Sequence, residues 1–335
     1  MKKVLLGMSG GVDSSVSALL LKKAGYEVIG VTLILTPDND PSEDAKKICD
    51  QLGIEFHKID LTKEFKEYVI DNFVNSYKNG VTPNPCVLCN KYLKFGKLVE
   101  FADKLGCELI STGHYASVKD DCLVKSDANS KDQTYFLYNI NKNVINRLIF
   151  PLEHFKSKDE IRKIAADNNL FVATKKDSQE ICFIPNDNHT QFLENSIEKT
   201  PNVGNFVDKQ GNILGKHKGI IYYTIGQRKG LGISAKTPLY VVSINVDKNE
   251  VVLGQLEDLY SKSLEAYDVN LLVNKLPSKV LAKIRYRSIA SEAIVTMTSA
   301  TTCRVEFIEP VKSITKGQSV VFYDNNVCLG GGIIK

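Results

Sequence analysis

Near the start of the chain, Ser9-Gly10-Gly11-Val12-Asp13-Ser14-Ser15 stands between an apolar run, VLLGM, and an amphipathic stretch that ends LLLKK. A strand that turns straight into a helix leaves backbone N–H groups unpaired at the positive end of the helix, and glycines let an oxyanion approach them closely. The chemistry that suits such a turn is phosphate binding. A Gly-Gly turn capped by Asp13 or Ser14 would read alike in isolation, but this one opens an alternating strand and helix pattern. It lacks the lysine of a Walker loop and the spacing of a dinucleotide fingerprint.

Thiols make the second constellation. Cys86-Val87-Leu88-Cys89 is a C-x-x-C ahead of a helix expected to begin at Lys91, where the helix dipole would favour the thiolate of Cys89. Cys182 follows Lys175 and Lys176, whose charge would act in the same direction if the fold brings it near. A structural zinc would need a fourth Cys or His at suitable spacing, and none accompanies Cys182. Cys49, Cys107, Cys122, Cys303 and Cys328 read as small apolar packing residues.

The elements that must position these groups follow from periodicity. Lys3–Met8, Glu27–Leu35, Ile54–Ile59 and Glu108–Thr112 read as strands. Ser14–Lys23, Glu43–Leu52 with Ser42 as N-cap, Thr62–Tyr77 and Lys91–Leu105 read as helices. Strand and helix in alternation mean a parallel sheet covered on both faces, an α/β fold. After Phe183 the pattern fades into a linker, Pro185–Asn205, with a short helix near Gln191–Ile197. Tyr240–Asn245 and Val251–Gly254 make a hairpin, and KIRYRS, EAIVTMT, CRVEFIE, SVVFYD and CLGGGII are short strands of an antiparallel barrel or sandwich.

With 335 residues, a formal charge of +4 and eight cysteines, the chain is long enough for two or three domains and too poor in cysteine for a disulfide scaffold. No apolar run reaches the roughly 18 residues of a membrane helix, so a soluble cytoplasmic protein with no membrane partner is expected.

The loop SGGVDSS resembles that of the N-type ATP pyrophosphatases. Taken with TPNPCVLCNKYLKFG, TGHYA, KDQTYFLY, KKDSQEICFI, GQRKGLGI and KIRYRS, which occur in the same order, the chain resembles the bacterial tRNA-specific 2-thiouridylases along nearly its whole length. The resemblance implies an adenine-nucleotide α-hydrolase-like domain over residues 1–190, a small central domain over 191–256 and a tRNA-contacting β-barrel over 257–335. It implies ATP with Mg2+, held by Gly7, Met8, Ser9, Gly10, Gly11, Val12, Asp13, Ser14, Leu33 and Gly113. Cys89 would be the nucleophile and Cys182 the persulfide carrier, the two able to close a disulfide during turnover.

By the same resemblance Asn84, Pro85 and Cys86 meet the target base, and His114, Lys131, Asp132, Gln133, Arg285, Tyr286 and Gln318 meet tRNA. The target would be the wobble uridine of the Lys, Glu and Gln tRNAs, and a cysteine desulfurase or relay protein would supply sulfur. Many relatives carry Asp at the position of Cys86. With Cys there, Cys86, Cys89 and Cys182 offer three ligands for a [4Fe–4S] cluster, the alternative being a plain persulfide relay. Two other functions compete: a small-molecule ligase or amidotransferase of the same ATP-splitting class, which would leave Cys89 and Cys182 idle, and a non-catalytic sulfur-carrier or RNA-binding protein, which would leave the phosphate loop idle.

Overall fold

The computed structural model describes residues 1–127, 131–175, 181–197 and 202–335. Five parallel strands, β1 (Lys3–Gly7), β2 (Glu27–Ile34), β3 (Glu55–Asp60), β4 (Leu109–Thr112) and β7 (Leu148–Ile149), form a sheet in the order β3-β2-β1-β4-β7. Val4, Leu5 and Leu6 of β1 have no exposed surface, as a strand covered on both faces requires. The chain leaves β1 toward β2 on one side and reaches β4 on the other. Its switch point therefore lies at the carboxyl ends of β1 and β4, where open α/β sheets bind ligands.

Helices Val12–Lys23 and Ser42–Leu52 pack with one hydrophobic cluster that includes Val16, Leu19, Ala45 and Ile48. Gly53 ends the second in the left-handed region, as expected. Ser42 is not the N-cap: Pro41 holds that position, and the Ser42 N–H donates to Asp40. The helix expected from Lys91 begins instead at Pro85 and runs without a break through a wide-turn segment, Asn90–Lys97, to Lys104. Proline favours this earlier start, because its fixed φ and missing N–H cost nothing at the first helical position.

A second sheet has the order β10-β11-β8-β9, with β8 Gly204–Val207, β9 Ile213–His217, β10 Tyr240–Asn245 and β11 Glu250–Gly254. Its β10–β11 hairpin has the expected turn. The last part of the chain is a closed antiparallel barrel of β12 (Tyr260–Leu271), β13 (Val280–Lys283), β14 (Ser291–Met297), β15 (Cys303–Lys312), β16 (Ser319–Asp324) and β17 (Val327–Ile334). Pairing of β12 with β17 closes the ring and removes its edges. The strand expected across KIRYRS stops at Lys283; Arg285–Ser288 is a turn closed by the Ser288 N–H on the Arg285 carbonyl. A hairpin of β5 (Ser117–Lys119) and β6 (Cys122–Val124), which the periodicity did not reveal, pairs β6 with β17 and fastens the first sheet's domain to the barrel. Among the described residues no helix is long and apolar enough to cross a membrane.

The segment just before Cys86 is held from two sides. The Thr82 N–H donates to the Lys316 carbonyl at 3.0 Å, and Gln318 Nε2 donates to the Thr82 and Pro83 carbonyls, both at 3.1 Å. Gly80 lies against Ile244 and Val246 of the central sheet, where a Cβ would meet side-chain atoms at 2.9 and 3.2 Å. Gly317, with φ +87°, would bring a Cβ within 2.3 Å of Val81 Cγ1 and 2.9 Å of the Thr82 carbonyl. Gly317→Ala combines backbone strain with overpacking and is expected to destabilise the protein by roughly 2–4 kcal/mol. A urea-unfolding midpoint equal to that of the parent protein would show that the barrel does not grip this segment.

Candidate functional site

The turn after β1 is built as the residue types require. Gly10 adopts φ +65°, and a Cβ there would press on the Pro41 carbonyl at 3.0 Å. The Ser9 N–H donates to Ser14 Oγ at 3.2 Å and Ser14 Oγ donates to the Gly11 carbonyl at 3.2 Å, closing the loop on itself. Ser15 Oγ also donates to the Gly11 carbonyl, at 2.8 Å. Gly11 is the N-cap of helix Val12–Lys23 and offers no side-chain acceptor, so the first N–H groups of the helix keep their donor capacity for a ligand. Met8 is buried and Leu33 is half-buried near the end of β2.

The turn after β4 lies on this loop. A Cβ at Gly113 would come within 2.9 Å of the Ser14 N and 3.1 Å of the Asp13 carbonyl carbon, so only glycine lets the two turns approach this closely. His114 comes next, its Nδ1 2.7 Å from Thr112 Oγ1 and its ring tilted against Phe95 at 5.9 Å. Burial, assisted by the Lys94 charge, pushes His114 well below the ordinary histidine range. It is therefore neutral at pH 7.

Lys94 is the centre of the thiol group. Its charge acts on Cys86, Cys89 and Cys182 as well as on His114. Cys89 and Leu93 belong to the same apolar cluster as Phe183 and Ile184, and Phe183 packs edge-on against Phe65, Phe73 and Phe192 at 5.2–5.6 Å. That aromatic wedge carries Cys182 to the other two thiols. The helix start at Pro85 puts Cys86, not Cys89, in the first turn. Cys89 is 6% exposed, and burial pushes its thiol up to about 12, against the low value expected from the helix dipole. Cys86 and Cys182 reach solvent, yet protein walls them closely enough that burial also raises both; Lys94 opposes the shift in all three.

The lysines expected to help Cys182 lie elsewhere. Lys175 donates to the Gly10 carbonyl and to Asp44, beside the phosphate loop, and Lys176 lies outside the described residues together with Asp177, Ser178, Gln179 and Glu180. All eight cysteines are free; four of the five assigned to packing are buried, and Cys122 is only half-buried. Among the described residues, no group of three or more His, Cys, Asp or Glu side chains is arranged to hold a metal ion. The donor set Cys86, Cys89 and Cys182 does not fit a cluster in this arrangement.

The remaining candidates are partly committed to internal contacts. Gln133 Oε1 accepts from the Tyr115 N–H, and Lys131 lies 6.0 Å from the Tyr115 ring centre. Asp132 is buried, accepting from the Thr134 hydroxyl at 2.7 Å. Arg285 donates to the Ile225 carbonyl and to Thr315 Oγ1, and Tyr286 packs 4.5 Å from Phe136, while Arg287 is exposed. Asn84 is the N-cap of the thiol-bearing helix, and Asn90 just beyond Cys89 donates to the Phe136 carbonyl. Sequence reasoning missed Lys94, Tyr115 and Lys158. The last two both bind Asp13, Tyr115 through its hydroxyl at 3.0 Å and Lys158 through Nζ at 2.5 Å. Lys94 stood inside a quoted motif, but a single lysine on a helix carries no signal of what it faces.

Exposure and burial together predict thiol reactivity. Iodoacetamide on the native protein is expected to label Cys86 and Cys182 at least about tenfold faster than Cys89, with both rates still climbing as the pH passes 9, because only the thiolate reacts. Peptide mass analysis that found Cys89 labelled as fast as Cys86 would contradict the buried position.

Three family models match successive parts of the chain. They are described as a tRNA methyl transferase HUP domain over residues 2–186, a tRNA methyl transferase PRC-barrel domain over 190–255 and an aminomethyltransferase beta-barrel domain over 261–334. The tRNA-specific 2-thiouridylase MnmA of Clostridium acetobutylicum is 47% identical over 354 residues, covering 100% of this chain and 99% of that protein. The tRNA-specific 2-thiouridylase MnmA 1 of Clostridium botulinum (strain Loch Maree / Type A3) is 48% identical with the same coverage. Among solved structures, a 4-thiouridine synthetase–RNA complex with bound ATP matches 52% of this chain and 43% of its own, with 22% identity and a TM-score of 0.38.

Proposed function

Because the chain belongs to the tRNA-specific 2-thiouridylase family, we propose that it makes 2-thiouridine in tRNA by adenylating the C2 oxygen of the wobble uridine with ATP and replacing that oxygen with sulfur. It is a tRNA sulfurtransferase. The single observation that supports the mechanism is the contact of Gly113 on the Ser14 backbone, which sets His114 next to the phosphate loop, while the charge of Lys94 acts on both His114 and the three thiols. Activation and sulfur transfer then share one cleft.

In this reading the loop Ser9–Ser14 holds the phosphates of MgATP, with Gly7, Met8, Leu33 and Gly113 around the nucleotide. The uracil C2 oxygen attacks the α-phosphorus, and the bond to the bridging oxygen breaks with its electron pair leaving on pyrophosphate. The outer sulfur of a Cys182 persulfide attacks C2, and AMP departs with the former C2 oxygen. Cys89 thiolate then attacks the inner sulfur, a Cys89–Cys182 disulfide forms, and the electron pair of the broken S–S bond stays on the sulfur at C2. A dithiol reductant reopens the disulfide, and a sulfur donor such as a cysteine desulfurase or relay protein restores the persulfide. No step is assigned to an iron–sulfur cluster, since the three thiols are not grouped as ligands.

Asn84, Pro85 and Cys86 are assigned to the target base, and neutral His114, Lys131, Asp132, Gln133, Arg285, Tyr286 and Gln318 to shaping and contacting the tRNA surface. The methyl transfer named in two of the model descriptions would leave both the phosphate loop and the paired thiols without work. The same holds in part for a small-molecule ligase, which needs the loop but not Cys89 and Cys182.

Incubation with unmodified tRNA, MgATP, a cysteine desulfurase with L-cysteine as the persulfide donor and a dithiol reductant, followed by nucleoside mass analysis, is expected to yield 2-thiouridine only when ATP is present. Cys182→Ala should lose the product while keeping tRNA-dependent pyrophosphate release, and Asp13→Ala should lose that release. Pyrophosphate release that ignores tRNA would turn the assignment toward a small-molecule ligase.

A further inference from the structure

Asp13 presents a problem of charge that the family reading leaves open. A carboxylate meets a leaving pyrophosphate only through a cation, because like charges repel in a partly desolvated site. The structure shows what Asp13 does hold: one oxygen accepts from the Tyr115 hydroxyl at 3.0 Å and the other meets Lys158 Nζ at 2.5 Å. The Lys158 side chain is 16% exposed and that of Asp13 27%, so this pair is set into the cleft wall. Lys158 is the first residue of helix Lys158–Asp167, whose start is fixed by a reciprocal cap between Ser157 and Glu160. From just after the short helix Phe171–Thr174, Lys175 Nζ reaches the Gly10 carbonyl at 3.0 Å and Asp44 at 2.7 Å. Two ammonium groups from distant parts of the chain thus flank a seven-residue loop whose own donors are backbone N–H groups.

We propose that Lys158 and Lys175 are the cationic walls of the pyrophosphate subsite, and that Asp13 is a positioning residue that acts through Lys158. As the bond from the α-phosphorus breaks, negative charge grows on the departing pyrophosphate. The loop amides cover one side of it, and the two ammonium groups, already held by Asp13 and Asp44, cover the flanks without reorganising.

The inference rests on the ATP reading above, and direct binding separates the two. Inorganic pyrophosphate with magnesium, titrated calorimetrically into the full-length protein, is expected to bind the parent protein. Lys158→Met and Lys175→Met should each weaken it about tenfold or more, as the loss of a charge-assisted contact implies, while AMP affinity stays within about threefold. Lys158→Arg should retain most of the pyrophosphate affinity. Lys158→Met alone leaves a partly buried carboxylate unpaired and can lose the fold, so the double variant Asp13→Asn with Lys158→Met, neutral at both positions, serves as its companion and should show the same weakened binding. Unchanged pyrophosphate affinity in that double variant and in Lys175→Met, with the parent binding both ligands, would overturn the subsite and leave the ATP reading standing. A parent protein that binds neither pyrophosphate nor AMP would overturn both.

Discussion

Parallel pairing of β1 with β4 is the constraint on which the rest of the molecule depends. The register sets Gly7 opposite Thr112, so the two strands end level and their following turns must share one space. That space admits both only because Gly113 has no side chain to strike the Ser14 and Asp13 backbone. From this contact follows the nearness of the phosphate loop to His114, which in turn feels the charge of Lys94. A parallel sheet buried on both faces is rigid enough to keep such a junction, since every strand in it is held by pairing and by packing at once.

The thiols depend on a different kind of support. Cys86 and Cys89 ride on a helix that projects from the sheet domain, and the helix is tied down from outside it. Lys91 pairs with Asp268 of the barrel at 3.0 Å, and Gln318 holds the carbonyls of Thr82 and Pro83 just ahead of the helix start. Asn270 adds two hydrogen bonds from the barrel to the carbonyls of Tyr138 and Ile140. The barrel is therefore part of the scaffold for the thiols, and a load on it has a short path to Cys86. Apart from the partly exposed Lys91–Asp268 ion pair, these links are neutral hydrogen bonds worth about 0.5–1.5 kcal/mol each, so their effect lies in number and direction.

Charge is distributed so that each acidic group near the cleft has a cation to hold. Asp13 engages Lys158 and Asp44 engages Lys175, while Lys94 faces thiols and a neutral imidazole. The consequence is two regions of different charge balance. In one, at the phosphate loop, two lysines are matched by two carboxylates. The other sits among groups that burial keeps neutral at rest, where one positive charge is the local bias toward a thiolate or an anionic sulfur.

The sequence by itself determined the parallel sheet, the phosphate loop and the three thiols worth watching. These depend on local physics: a two-residue or 3.6-residue period, glycines at a strand-to-helix turn, and cysteines in a motif are all visible within a few positions. The start of the thiol-bearing helix was legible too, since Pro85 is a good first residue, yet the apolar pattern from Lys91 onward was the stronger signal and misplaced it. The partners of Asp13, the use of Lys175 at the loop instead of at Cys182, the central place of Lys94 and the grip of Gln318 on Thr82 were not legible. Each joins residues from about 90 to more than 230 positions apart along the chain or turns on which way a side chain faces. Such meetings are decided when strands choose their neighbours and the barrel closes, because only then do side chains with no mutual sequence pattern come to share one small volume of low dielectric.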